Sequence, residues 1–504
     1  MKKVVFVQKD VFVKPGFMAL SAVLKPAGFD CRVVVAELER DVVRTVLELQ
    51  PDVVAFSITT PEYPFMKAVG TRLRESYDKI IICGGPHPTF CPEVIHDPYL
   101  DALCRGEGDE ALLDFLQALQ HGKPTENIPN LWVKKNGKVY ANNVRPLVVD
   151  LDQLPFYDRS LYKSYALYTR PGHEMLYHKV IMTARGCPKA CAFCFNKLYN
   201  AIYEGKGPVV RRRSVSHVIR ELKLLKESDA PVNIRIEDDS FTLAPKNWLE
   251  EFCDAYSRQI AIPFSCNSTP TTLNEETVKL LKRAGCFGVR IGLESGNDDI
   301  RNRLLNKNIS EQTIVDAAAF LRKHKIRFQT FNIVGNPGES LSTALQTYAL
   351  NRRIKPDFAL CFVLTPYPGT DIHKICKDLG YLEQHSDFAD VQYSYFTDAT
   401  LALPDKAALL NLQKLLYVAL LLRMPEALLR FLVRLPLTQV YRVLYGLGLF
   451  WGWSRLNKGT LLDTARLSLL HFLRYNRINE IGLPLNSNPA NASMMKDPTS
   501  GRQP

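Results

Sequence analysis

Three cysteines, Cys187, Cys191 and Cys194, lie close together in the stretch VIMTARGCPKACAFCFN, residues 180–196. The C-x3-C-x2-C spacing lets three thiolates on one short loop face a common centre. Thiolate is the usual protein ligand of iron–sulfur clusters. A cubane has four irons, so three cysteines leave one iron without a protein ligand, and that iron can bind a substrate or cofactor. Structural zinc and simple burial are the other readings. Zinc usually takes four ligands in paired spacing, and no second pair lies nearby. The apolar run Lys179–Met182 reads as a buried strand. The loop therefore sits at the carboxyl end of a strand, where α/β folds keep their chemistry.

With Phe193 just before the third cysteine, the spacing resembles the signature of the radical S-adenosylmethionine (SAM) superfamily. The resemblance implies a [4Fe–4S] cluster on Cys187, Cys191 and Cys194, with SAM on the open iron. It also implies a partial (β/α)6 barrel, and the downstream pattern agrees. Strands are expected at Val232–Ile236, Phe264–Asn267, Gly288–Gly292, Arg327–Val334 and Phe358–Leu364, with helices at Val218–Lys226, Trp248–Ser257, Glu275–Ala284, Ile314–His324 and Leu341–Leu350.

The strand ends carry the polar groups. Ile236 is followed by Glu237-Asp238-Asp239-Ser240. Adjacent carboxylates are costly to bury without a cation. A substrate ammonium would satisfy them; an N-cap cluster is the alternative. The resemblance assigns Asp238 and Asp239 to the SAM amine, and Glu294, in Arg290–Gly296, to the ribose hydroxyls with Ser295 beside it. It places Asn267 at the third strand end and Gly335, in Asn332–Glu339, near adenine, with Phe193 completing the SAM residues.

Residues 1–125 alternate apolar runs with helical patterns. Strands are expected at Val4–Val7, Cys31–Ala36, Val53–Ile58, Ile80–Cys83 and Ala102–Arg105, which predicts a doubly wound parallel sheet. Its strand ends give Ser57-Ile58-Thr59, Gly84-Gly85-Pro86-His87 and Gly106-Glu107-Gly108. Glycines there suit either plain βα turns or close approach to a bulky ligand. The GGPHPT and GEGDE turns resemble those of the cobalamin-binding domain that precedes the barrel in B12-dependent radical SAM enzymes. That implies cobalamin contacts from Ser57, Thr59, Gly84, Gly85, Pro86, His87, Gly106, Glu107 and Gly108. The cobalt-ligating D-x-H-x-x-G motif of other B12 proteins is absent, so no histidine is expected below the cobalt. A bulky residue at Gly85 is expected to block the cofactor.

Residues 126–178 read as a linker with a hairpin at Asn136-Gly137 and an aromatic strap over the seam. The core domain spans 179–387. A helical region spans 388–485, and a disordered tail 486–504. Between Leu401 and Glu480 there are eleven Lys or Arg against four Asp or Glu. No uncharged apolar run is long enough to span a bilayer. These basic, tryptophan-bearing helices either cap the barrel or lie on a membrane surface. Twelve cysteines without a secretory signal point to a reducing cytoplasm. The net charge of +12 permits, but does not require, an anionic partner.

The fold class is thus α/β: a Rossmann-like cobalamin-binding domain, a partial barrel and C-terminal helices. By resemblance the chain is an enzyme that generates a 5′-deoxyadenosyl radical and moves methyl from methylcobalamin to an unactivated carbon of a small molecule or lipid. A flavodoxin or ferredoxin would supply electrons. A cyclising or rearranging relative is the nearest alternative. An RNA methylthiotransferase would carry further cluster cysteines in its first domain and a β-rich tail, so no nucleic-acid partner is expected. A non-enzymatic cobalamin sensor would not need the intact cysteine loop. Cys191→Ala is expected to abolish cluster assembly and SAM cleavage; retained 5′-deoxyadenosine formation would refute the cluster assignment.

Overall fold

Runs of Val, Ile and Phe separated by amphipathic segments build two parallel sheets in sequence. The computed structural model describes residues 3–165, 168, 179–229, 231–382 and 401–456. The expected tail, most of the strap after 165 and the helical pattern beyond 456 lie outside the described residues.

The first sheet is built from β1 (Lys3–Gln8), α1 (Pro15–Leu24), β2 (Asp30–Val35), α2 (Val42–Glu48), β3 (Val53–Ser57), α3 (Tyr63–Arg74), β4 (Ile80–Gly84), α4 (Pro86–Phe90), β5 (Ala102–Cys104) and α5 (Asp109–Gln120). Its strands run in the order β2-β1-β3-β4-β5, all parallel. Because side chains alternate across the sheet, it buries one core under α1 and α5 and another under α2 and α3. The hairpin expected in the linker, β6 (Leu131–Lys135) and β7 (Lys138–Ala141), continues this sheet antiparallel beside β5. Strand β5 is short, and the hairpin covers its edge.

The strap fastens the two units. The Asp158 amide donates to the Met18 carbonyl (3.1 Å), and its carboxylate takes the Ser21 hydroxyl (2.6 Å). The next residue, Arg159, reaches the other way, to the Val180 carbonyl (2.8 Å) and Glu221 (3.2 Å). Tyr162 bridges Gln8 (2.6 Å) and the Lys14 amide (2.9 Å).

The core contains β8 (Lys179–Ile181), β9 (Ala184–Arg185), α6 (Phe195–Ile202), β10 (Arg211–Arg212), α7 (Val215–Asp229), β11 (Ile234–Ile236), α8 (Lys246–Gln259), β12 (Phe264–Ser268), α9 (Glu275–Arg283), β13 (Cys286–Glu294), α10 (Glu311–Lys323), β14 (Arg327–Val334), α11 (Leu341–Ile354), β15 (Phe358–Val363) and α12 (Asp371–Asp378). Six parallel strands run in the order β8-β11-β12-β13-β14-β15. Strands β9 and β10 form a separate antiparallel ribbon above the first strand. Caps start the helices where the sequence allows: Asn274 for α9, Ser310 for α10, Ser340 for α11 and Thr370 for α12.

The last elements are α13 (Lys406–Leu421), α14 (Glu426–Leu432) and α15 (Thr438–Leu456). Helix α13 packs on β15 and bonds carbonyls in and just before it: Gln413 donates to Cys361 (3.0 Å) and Tyr417 to Asp357 (2.7 Å). Pro425 sits at the start of α14, where its missing N–H costs nothing. No described helix is long and apolar enough to cross a membrane.

Beyond β14, Glu339 caps the turn 335–338. Its Oε2 accepts from the amides of Gly335 (2.6 Å) and Asn336 (3.0 Å), while Oε1 has no partner among the described residues. Burial pushes this carboxyl up to about 7 from its ordinary 4.5. The native state therefore holds the proton more tightly than the unfolded chain. The stability this contributes is present below about pH 4.5 and is lost as pH rises through about 7. Between pH 5 and 8 the wild type should lose on the order of 3 kcal/mol relative to Glu339→Gln in denaturant unfolding. Parallel pH profiles for the two proteins would contradict this.

Candidate active site

The cysteine loop is held from behind by elements distant in sequence. Gly186 turns the chain at φ +96°, and a Cβ there would lie 1.9 Å from the Val209 carbonyl oxygen, so only glycine fits. The Ala192 amide donates to Leu305 (3.0 Å), and the Ile372 amide donates to Ala192 (3.0 Å). Asn306 Nδ2 reaches the Ala190 carbonyl (2.8 Å), and Asn200 Nδ2 the Cys187 carbonyl (3.0 Å). Cys194 is the N-cap of α6, its Sγ accepting from the Asn196 amide (3.5 Å). A helix N-terminus favours the thiolate. Burial opposes it, raising Cys187 and Cys191 and pushing Cys194 up to about 11. Among the described residues no three His, Cys, Asp or Glu side chains converge on a single-ion site. In a cubane each thiolate takes a different iron, so the sulfurs surround the cluster instead of meeting at one ion. The donor set and the rigid loop fit a cluster.

The residues expected at SAM divide into groups. Asp238 does not take the role expected of it. It is buried and already engaged, accepting from the Thr183 amide (2.6 Å) and hydroxyl, the Ala184 amide (3.1 Å) and Arg212 (3.2 Å). It ties β8 to β11 and has no capacity left for a ligand ammonium. Asp239 is exposed, accepts from Asn196 (3.0 Å) and faces the cysteines electrostatically. Glu294 sits at the β13 bulge with φ +63° and is paired with Lys307 (2.7 Å). Lys307 Nζ also lies 5.7 Å over the Phe193 ring. Burial opposes its charge, but Glu294 and Cys191 outweigh that and raise its pKa. The structure thus brings Phe193, Glu294, Lys307 and Cys191 together.

Asn267 joins Arg290 (2.8 Å) and the Asp238 carbonyl (3.0 Å). Ser295 is fully buried, and its hydroxyl accepts from the Asn297 amide (3.2 Å). Gly335 turns at φ +81° against Leu403. Four participants escaped the sequence reading. Lys307 lies in a polar loop thirteen residues after Glu294 and has no motif of its own. Arg301 is completely buried and pins this loop through the carbonyls of Ser295 (2.9 Å) and Ile309 (2.7 Å). Arg235 and Arg290 share the Glu237 carboxylate. Burial lowers Arg235 to about 9 and Arg290 to about 10. Period-2 alternation on β11 and β13 was the available signal for this last pair.

A cavity of about 260 Å³ opens at the carboxyl ends of β1, β3, β4 and β5. Ser57, Gly84, Gly85, Gly106, Glu107 and Gly108 line it, with Phe6, Phe17 and Leu112 making it apolar and Tyr157, Met182 and Arg185 closing the core side. Thr59, Pro86 and His87 are not in the lining. Thr59 caps the turn at Glu62 through its amide and hydroxyl (both 2.8 Å). His87 is buried against Tyr63 (4.7 Å between rings) and bonded to Thr60 (3.3 Å), and burial lowers its pKa to about 4. It serves the turn rather than the cavity. At Gly85, φ is +95° and a Cβ would meet the Ile58 backbone at 2.8 Å, so a bulky residue there breaks the turn itself. Gly108, at φ −100° with only Leu20 and Cys104 within ordinary contact, is the position where a side chain fills the space without strain. An apolar, glycine-walled space of this size fits a projecting part of cobalamin, not the whole corrinoid.

Residues 181–350 match the family model of the radical SAM superfamily, and residues 1–116 match that of the B12 binding domain. An uncharacterised methyltransferase of Pyrococcus horikoshii is 30% identical over 335 residues, covering 66% of this chain and 70% of that protein. An anaerobic magnesium-protoporphyrin IX monomethyl ester cyclase of Rubrivivax gelatinosus is 27% identical over 374 residues, covering 72% of this chain and 64% of the cyclase. The fold is shared with the cobalamin-dependent SAM radical enzyme OxsB, at a TM-score of 0.67 and 13% identity over 96% of this chain and 80% of that one. With both domain models matched in order, a relative at this identity and a shared fold, the chain belongs to the cobalamin-dependent radical SAM enzymes, whose cofactors are a [4Fe–4S] cluster, SAM and cobalamin.

Proposed function

We propose that the chain is a C-methyltransferase acting on an unactivated carbon of a small-molecule or lipid substrate. The observation that carries this reading is a shared wall. Met182 and Arg185, on the segment leading into Cys187, also line the cavity beyond the first sheet. A cofactor in that cavity and a cluster on the loop would face one enclosed space.

When bound, the cluster supplies the electron that splits SAM into methionine and a 5′-deoxyadenosyl radical, and cobalamin carries the methyl group. The chain's own part is placement. Cys187, Cys191 and Cys194 hold three irons. Asp239 accepts the SAM ammonium. Phe193, Asn267, Glu294, Ser295 and Gly335 surround its remainder, with Lys307 paired to Glu294 (2.7 Å) beside the ribose. The lumen has one guanidinium more than carboxylate in Arg235, Arg290 and Glu237, which suits a carboxylate or phosphate. Ser57, Gly84, Gly85, Gly106, Glu107 and Gly108 receive cobalamin. A flavodoxin or ferredoxin supplies the electron.

The magnesium-protoporphyrin cyclase relative supports a second reading, ring formation without methyl transfer. The products separate the two. Anaerobically reconstituted protein given SAM, cobalamin and a strong reductant should yield both S-adenosylhomocysteine, from methyl donation, and 5′-deoxyadenosine. Gly108→Phe should keep iron and 5′-deoxyadenosine but lose cobalamin and S-adenosylhomocysteine. Cobalamin-loaded wild type that makes no S-adenosylhomocysteine would exclude the methyltransferase reading.

Leu422, Phe431, Val443, Leu447 and Trp451 are exposed on and around α13–α15, among Arg423, Arg434 and Arg442. This apolar and basic face supports peripheral contact with an anionic membrane surface, and with it a lipid substrate. The full chain should float with phosphatidylglycerol vesicles and not with neutral ones, and Phe431→Glu with Val443→Glu should abolish flotation. Equal flotation of wild type and variant would count against it.

A further inference from the structure

The turn at residues 106–109 does more than line the cavity. Its two carboxylates are each held by an arginine of the core. Arg211 grips Glu107 through both terminal nitrogens, Nη1 to Oε2 (2.9 Å) and Nη2 to Oε1 (2.7 Å). Arg185 grips Asp109 in the same way, Nη1 to Oδ2 (2.8 Å) and Nη2 to Oδ1 (3.0 Å), and lies 3.3 Å from Glu107. The two arginines are cross-strand partners on the β9–β10 ribbon. The Arg211 side chain is 1% exposed, Asp109 9% and Glu107 14%. With Arg185 at 23%, two charges of each sign are therefore largely buried in one layer at the seam. Forked pairs are demanding in angle as well as distance, and a buried pair of this kind is a better device for geometry than for stability.

Helix α6 makes a second tie from the same loop. It begins at Cys194, and Phe195 stacks on Phe90 of α4 at 4.7 Å with planes 3° apart. Just beyond its far end, the Tyr203 hydroxyl accepts from the Glu107 amide (2.9 Å) and from Asn130 (3.2 Å). A Cβ on Gly106 would lie 1.9 Å from that hydroxyl, so the glycine is required for the docking as much as for any ligand. One end of each tie is at the cysteine loop, and the other is at the cavity wall: Arg185 stands two residues before Cys187, and Glu107 and Asp109 line the cavity.

We infer that Arg185, Arg211 and Tyr203 are positioning residues that fix the separation between the cluster loop and the cobalamin cavity. The inference rests on the family's cofactors and the location of their two sites, and not on methyl transfer as the outcome. Apolar contacts alone would let the two sheets slide by about 1 Å; the two forks and the Tyr203 peg define a single register. Under the methyltransferase reading, radical and methyl chemistry share one substrate carbon, so a loose register would harm the second step while sparing the first.

The test uses reconstituted holoenzyme with cob(II)alamin and a reduced cluster, and reads the distance between the two spins by pulsed dipolar EPR. Arg211→Lys keeps every charge but loses the fork, and Asp109→Asn keeps the shape but loses one charge. With cofactor content unchanged, each should shift or broaden the distance distribution by about 1 Å. S-adenosylhomocysteine formation should fall roughly 10²-fold relative to 5′-deoxyadenosine. Exchange of partners in Glu107→Arg with Arg211→Glu should narrow the distribution again relative to Arg211→Glu alone. If Asp109→Asn fails to load, Arg211→Lys decides. A distribution as narrow as wild type in fully loaded Arg211→Lys would overturn the proposal. A changed distance without any S-adenosylhomocysteine in the wild type would uphold it and count instead against the methyltransferase reading.

Discussion

Everything in this chain depends on the carboxyl ends of two separate sheets facing one another. Each sheet folds around its own apolar layers, and nothing in those layers fixes how the sheets meet. Beside a small apolar cluster of Val144, Leu147 and Tyr203, the seam is built from directional contacts: the arginine forks on Glu107 and Asp109, the Phe90–Phe195 stack, and Asp158 and Arg159 pulling to opposite sides. Directional contacts desolvate charge at a cost, and a chain that needed only a stable interface would do better with leucines. Two cofactor sites that must be held at a fixed separation supply a reason for the expense.

The same logic governs the cysteine loop. A short loop carrying three thiols has little local structure to hold it, so its shape is borrowed from Leu305, Asn306 and Ile372, far along the chain. Arg301 braces that support from within, and Lys307 joins it to Glu294 at a strained bulge. A left-handed glutamate is uncommon outside functional turns. Here it places a carboxylate where an ammonium and three thiols already lie.

Much of this was legible in the sequence. Apolar runs and glycine-rich turns located every strand of both sheets to within a few residues, because buried parallel strands have few other ways to be written. The cysteine loop, the GEGDE turn and six of the residues lining the cavity followed from position at strand ends. What failed was partner choice. Asp238 looked like its neighbour Asp239, yet one is consumed by the Thr183 turn and the other is exposed. His87 was expected to contact cobalamin from its loop and is packed on Tyr63. Gly85 and Gly106 line the cavity, but the space a side chain would take there is filled by Ile58 and Tyr203 rather than left for a ligand. Lys307, Arg301 and the seam arginines form no local pattern, since their partners lie tens of residues away. Periodicity reports which side of an element is buried, and says nothing about what it is buried against.

The central claim is that one chain holds a cluster and a corrinoid together. The most direct measurement is iron, sulfide and cobalamin per chain after anaerobic reconstitution and gel filtration. The account predicts about four irons, about four sulfides and about one cobalamin on the same monomer-equivalent. Full iron with no retained cobalamin would contradict it.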